Sequence, residues 1–184
     1  MVYSVCQMAP LSLIVDHSPL FPAHWSLFVA HPSCPEIGKR VHVEGSVYAG
    51  FTHAVQRRYK LGSVGKNFSL LELGELTGGK GGEEQEEEEE ALVKHIHANA
   101  DVDADAAEYG EEVKPIDRLE KVAIGVVALG GSLNHVNEDG TQAPARRGQM
   151  KNCQDWIIDV VAELVRRDML PAAANEVVQN APKN

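Results

Sequence analysis

The stretch NCQDWIIDVVAELV, from Asn152 to Val165, carries the clearest periodic pattern in the chain. Trp156, Ile157, Val160, Val161, Leu164 and Val165 recur one, three or four residues apart. That spacing lays a single apolar stripe along an α-helix and requires a partner surface to bury it. Asn152 is a good N-cap, and Asp155 three residues later completes a capping-box pattern. The helix therefore starts at Asn152. Pro171 ends any continuation, and residues 169–184 read as a frayed C-terminal tail.

Working back toward the N-terminus, Ala23 to Leu76 has a short-period, β-like pattern. Trp25–Ser26–Leu27–Phe28–Val29 is apolar enough for a buried strand. His31 to Gly38 reads as a turn by its Pro and Gly content. Val41, Val43 and Val47 fall on one face of a second strand, with His42 and Glu44 on the other, solvated face. Phe68 to Leu76 supplies a third run. A helix starts near Pro115, with Leu119, Val122, Ala123 and Val126 at helical spacing. The fold class that follows is α+β: a small antiparallel sheet packed by helices. Residues 1–22 read as an irregular N-terminal arm or a first edge strand, and residues 23–168 as the domain.

The net charge of −10 is a local property. Thirteen acids and one base, Lys94, lie between Glu83 and Glu112, so the rest of the chain is near neutral. Following the Gly78–Gly82 run, that stretch holds too little apolar surface to offset its ordering entropy. It is expected to be a disordered acidic insertion spanning 78–112. No basic surface suited to nucleic acid is present. No apolar run approaches the roughly 20 residues of a membrane span. Leu11–Val15 lacks the flanks of a secretory leader. Cys6, Cys34 and Cys153 show neither disulfide nor zinc spacing, which suits reduced thiols and a cytoplasmic protein. No cofactor is implied. His31, His53, His95, His97 and His135 have no metal-site spacing. Arg57–Arg58 and Arg146–Arg147 read as solvating pairs.

Cys153 is the one candidate nucleophile. At the first position of its helix, unpaired amides and the positive end of the dipole favour a thiolate. A neighbouring imidazolium would lower its pKa further, whereas apolar burial would raise it. His24, before the strand beginning at Trp25, and His42, in the next strand, are placed to serve as base and orienting group.

His24–Trp25 opening a strand, His42 in a Val-His-Val strand, and a late Asn152–Cys153 at a helix start resemble the circularly permuted papain-like fold. That fold occurs in lecithin:retinol acyltransferase-like enzymes and in PPPDE thiol peptidases. The chain is also similar to a group of uncharacterised fungal proteins with an Arg/Asn-Cys-Gln-x-Trp signature before the last helix. The resemblance implies a cysteine hydrolase or acyl transferase acting on an amide, thioester or ester. In it Cys153 is nucleophile, His24 base and His42 orienting residue. It departs from the acyltransferases at Gln154–Asp155–Trp156, where they carry Glu-His-Phe. The alternative is a non-catalytic binding or scaffold protein on the same fold. A small-molecule or peptide acyl substrate, otherwise undefined, is the expected partner.

Overall fold

In a strand, alternate side chains face opposite sides, so an apolar–polar alternation specifies which face meets the helices. The computed structural model describes residues 9–31, 34–63, 67–77, 107–110, 113–130 and 151–184. Among them six strands form one antiparallel sheet: β1 (Ala9–Asp16), β2 (His24–His31), β3 (Cys34–Ser46), β4 (Gly50–Lys60), β5 (Phe68–Leu76) and β6 (Glu108–Tyr109). The spatial order is β5-β1-β2-β3-β4-β6. Three helices accompany it: α1 (Arg118–Gly125), α2 (Cys153–Arg166) and α3 (Ala173–Asn180).

One sheet face carries Leu11, Leu13, Val15, Trp25, Leu27, Val29, Val41, Val43 and Val55. Against it α2 buries Trp156, Ile157, Val160, Val161 and Leu164. Truncating one such side chain, as in Leu164→Ala, costs roughly 2–5 kcal/mol. The start and cap of α2 are as the sequence predicts: the Asn152 side chain accepts from the Gln154 amide, and the Asp155 carboxylate accepts from the Asn152 amide. The opposite face holds a smaller apolar group, Ile14, Phe28 and Tyr59.

Four features differ from the sequence reading. The N-terminal arm contains β1, an inner strand paired with β2 on one side and β5 on the other. The supposed His31–Gly38 turn is shorter, because β2 runs to His31 and β3 resumes at Cys34. Val47 lies beyond the end of β3. The tail 169–184 forms α3, which buries Ala174 and Val178 against the core. Most of the acidic stretch 78–112 lies outside the described residues, and within it Glu108–Tyr109 is a strand paired with β4. Gly38 must be glycine, because a Cβ there would stand 2.1 Å from the Val29 carbonyl oxygen.

Two successive cations in β3 leave on opposite faces. Lys39 is 1% exposed and pairs with Asp117 at the cap of α1 and with Glu120 Oε1 at 2.7 Å. Glu120 is fully buried and also holds Arg57 Nη2 at 2.9 Å through its other oxygen. Arg57 in turn pairs with Glu108 of β6 and donates to the Lys114 carbonyl. This network ties α1 and β6 to the sheet, and Arg57 is thereby committed to structure rather than to solvation.

Removing the shared carboxylate leaves Lys39 with Asp117 and Arg57 with Glu108 as their remaining carboxylates. Glu120→Gln is expected to cost about 1.5–3 kcal/mol, read from urea unfolding. Glu163→Gln, which disturbs only the exposed pairs with Arg166 and Arg167, should leave the midpoint almost unmoved. Equal effects from the two substitutions would show that the network does not hold α1 in place.

Candidate functional site

β2 is paired with β1 from its first residue, His24, which faces Asp16. Its ladder with β3 begins only at Leu27, opposite Val41. The opening stretch His24–Ser26 therefore has a strand on one side alone. The N-terminus of α2 packs at this opening. Gln154 reaches across and donates its side-chain amide to the Ala23 carbonyl at 2.8 Å.

Cys153 follows the cap and is 9% exposed. Burial pushes its thiol above the ordinary range, against the opposing pull of the backbone amides of Trp25, Cys153 and Gln154. The carboxylate of Asp155 adds a smaller upward push. Desolvation thus outweighs the helix terminus, and the resting sulfur is a neutral thiol rather than a thiolate. The amide that reaches the sulfur from the sheet belongs to Trp25, the residue directly after His24.

The two candidate histidines meet. His24 Nε2 and His42 Nδ1 are 3.1 Å apart, with the rings edge to face. His42 is 1% exposed, not on a solvated face as its strand position suggests. Its Nε2 makes no hydrogen bond and stands 3.8 Å from Glu44 Oε1. Burial is the main cause that lowers both imidazoles, His24 to about 4 and His42 to about 2, with the Arg40 charge adding to each. Both rings are neutral at neutral pH. Arg40 itself donates to Ser26 Oγ and to Asp16 Oδ2, each at 2.9 Å, and stacks over Tyr59.

Alternation along β2 sends Trp25 to the helix face and His24 to the face that carries Arg40 and His42. The Nε2 of His24 is taken by His42 rather than by the sulfur. The thiol and the imidazole pair consequently approach the open end of β2 from its two sides. A cavity of about 710 Å³ opens on the imidazole side, lined by Asp16, His24, Arg40, His42, Glu44 and Gln56 among others.

Of the other histidines, His53 donates from Nε2 to the Val126 carbonyl at 2.9 Å, an oxygen that also accepts from Trp156 Nε1 at 3.1 Å. His17 contacts Ser69 Oγ at 2.8 Å. Among the described residues no group of three or more His, Cys, Asp and Glu is arranged to hold a metal ion. No helix there is long and apolar enough to cross a membrane. Cys6, His95, His97, His135, Arg146 and Arg147 lie outside the described residues. Sequence reasoning missed Arg40, Asp16 and Gln154. The hint for Arg40 was its place in a strand directly before the apolar Val41, on the face opposite the valines.

The fold and the site define an α+β protein with a cysteine in the first turn of a capped helix and a histidine pair on the other face of the adjoining strand. Residues 11–171 match a family described as a family of unknown function (DUF6540), and the chain belongs to it. No curated protein and no solved structure matches the chain.

The lowered imidazoles give the fold an acid limit. A histidine whose folded pKa lies below its unfolded value binds its proton more readily when unfolded, so its contribution is complete above the unfolded pKa and is lost as pH falls. For His24 that window runs from 6.5 down to about 4, worth roughly 3 kcal/mol. Urea midpoints should fall across this window in the native chain and fall less in His24→Gln. A parallel fall in both would exclude His24 as the cause.

Proposed function

We propose that the chain is a cysteine-dependent hydrolase or acyl transferase built on the permuted papain-like plan, with Cys153 as nucleophile, His24 as base and His42 as orienting residue. The observation that carries this reading is the place of the sulfur. It sits at a capped helix start, against the amide next to His24, where β2 has no partner on its β3 side.

The chemistry follows from the protonation states. With His24 Nε2–H donated to His42 Nδ1, the free nitrogen of His24 is Nδ1. The strand holds Sγ and the His24 ring on its two faces at rest, so the proton of Sγ reaches Nδ1 around the open end of β2 as the sulfur attacks a substrate carbonyl, and no buried thiolate exists beforehand. The oxyanion that forms is met by the Cys153 amide at the helix terminus. Collapse of that intermediate breaks the bond to the leaving group, which takes the proton from His24. Water, or an acceptor amine or alcohol, then attacks the acyl-enzyme with His24 again as base. His42 fixes the His24 ring and takes part of the charge while His24 is protonated.

The rival reading, a binding protein on the same fold, draws on the raised thiol pKa. Labelling separates the two. In a chain with Cys6 and Cys34 replaced by Ser, iodoacetamide should modify Cys153 slowly at neutral pH, its rate rising only above the ordinary thiol range. An acylating thioester probe that fills the site should label Cys153 much faster. His24→Gln should slow that labelling by about 10²–10⁴-fold while leaving the alkaline alkylation limit in place. Thioester labelling that is indifferent to His24 would sink the catalytic assignment and favour the binding protein.

A further inference from the structure

The backbone of residues 182–184 lies across the same opening. The Trp25 indole N–H donates to the Pro182 carbonyl at 3.0 Å. The Ala23 amide and the Gln154 side-chain amide both donate to the Lys183 carbonyl, at 3.0 and 3.1 Å. His17 Nδ1 lies 2.9 Å from the Asn184 carbonyl oxygen. Each partner in the groove contacts main chain. The side chains of Pro182, Lys183 and Asn184 are exposed, and the last one buried before them is Ala181.

A groove that grips successive carbonyls and leaves side chains in solvent recognises an extended backbone rather than one sequence. Its donors belong to the parts that frame the cysteine: Ala23 and Trp25 on either side of His24, and Gln154 directly after Cys153. We infer that this groove is a binding site for an extended peptide segment, occupied in this structure by the chain's own residues 182–184. The occupant side chains contribute no buried surface, so another peptide of similar length can take the same hydrogen bonds. That the bound peptide is the acyl substrate rests on the catalytic reading. The binding itself does not.

The test therefore reads binding alone, in a Cys153→Ser chain shortened to end at Ala181. The Trp25 indole ¹⁵N–¹H resonance reports the lost hydrogen bond. It should shift on shortening and return, saturably, when the acetylated peptide Ala-Pro-Lys-Asn is added. A peptide with alanine in place of the Lys and Asn should bind within about threefold of it. No return with either peptide at millimolar concentration would overturn the inference. So would a return with the native peptide alone, which would make the segment a private strap. Should the shortened chain not fold, Gln154→Leu in the intact Cys153→Ser chain removes one donor from Lys183. The amides of 182–184 should then lose order, and the peptide should displace them; a segment that neither loosens nor yields also overturns the proposal. Failure of the catalytic reading would look different: peptide binding would persist while thioester labelling stayed independent of His24.

Discussion

The arrangement depends on where α2 begins. The capping box at Asn152 and Asp155 fixes that point to a single residue, because the first-turn amides have no intrahelical acceptors and the side chains supply them. Once the start is fixed, the apolar stripe of α2 can meet the sheet in one register only. Cys153 then falls against the Trp25 amide and Gln154 against the Ala23 carbonyl. A start shifted by one residue would turn the stripe by about 100° and withdraw both contacts together. Local capping chemistry thus decides a contact between residues more than 120 positions apart.

The sheet beneath separates two kinds of interior. Its helix face is hydrocarbon, closed by α2 and α3, with the Lys39–Glu120–Arg57 network at one margin. Its other face is polar and only partly covered, with Ile14, Phe28 and Tyr59 sheltering Arg40. Strand alternation sends neighbours Lys39 and Arg40 into these different surroundings, and each finds a carboxylate there. Burial of such cations would be prohibitive alone, and it becomes tolerable only with partners already in place. The sheet edge, the α1 cap and the β1 terminus are consequently fixed by charge as much as by apolar contact.

What could be read from residues and what could not divides along the reach of the interaction. α2 was legible because cap, stripe and terminator lie within twenty residues. The strands at Trp25–Val29 and Phe68–Leu76 were legible from their apolar content. β1 was not, because Leu11–Val15 becomes an inner strand only through β5, more than fifty residues later in the chain. α3 was missed because two small anchors, Ala174 and Val178, make a weak stripe; its burial comes from the core it docks on. For the site, residue types and order pointed to His24, His42 and Cys153, and the structure brings the two imidazoles into contact. The burial of His42 was invisible, since period-two alternation defines two faces without saying that the second is also covered. The direction in which the thiol pKa moves likewise depends on desolvation, which no spacing encodes.

That direction shapes the proposed chemistry. A preformed thiolate–imidazolium pair would place two opposite charges in a poorly hydrated opening, near the fixed positive charge of Arg40. Arg40 would oppose the imidazolium. Its field lowers both histidines, even though Arg40 is paired with Asp16. The neutral thiol with two neutral imidazoles avoids the desolvation cost altogether. Charge then develops only when a carbonyl is present to receive the electron pair. The new anion forms at the helix terminus, where amides await it, and the new cation forms on His24, where His42 shares it. On the proposed reading such a site discriminates by occupancy: without a substrate the sulfur stays a neutral thiol, and a carbonyl seated against the α2 terminus is what would make proton transfer to His24 downhill.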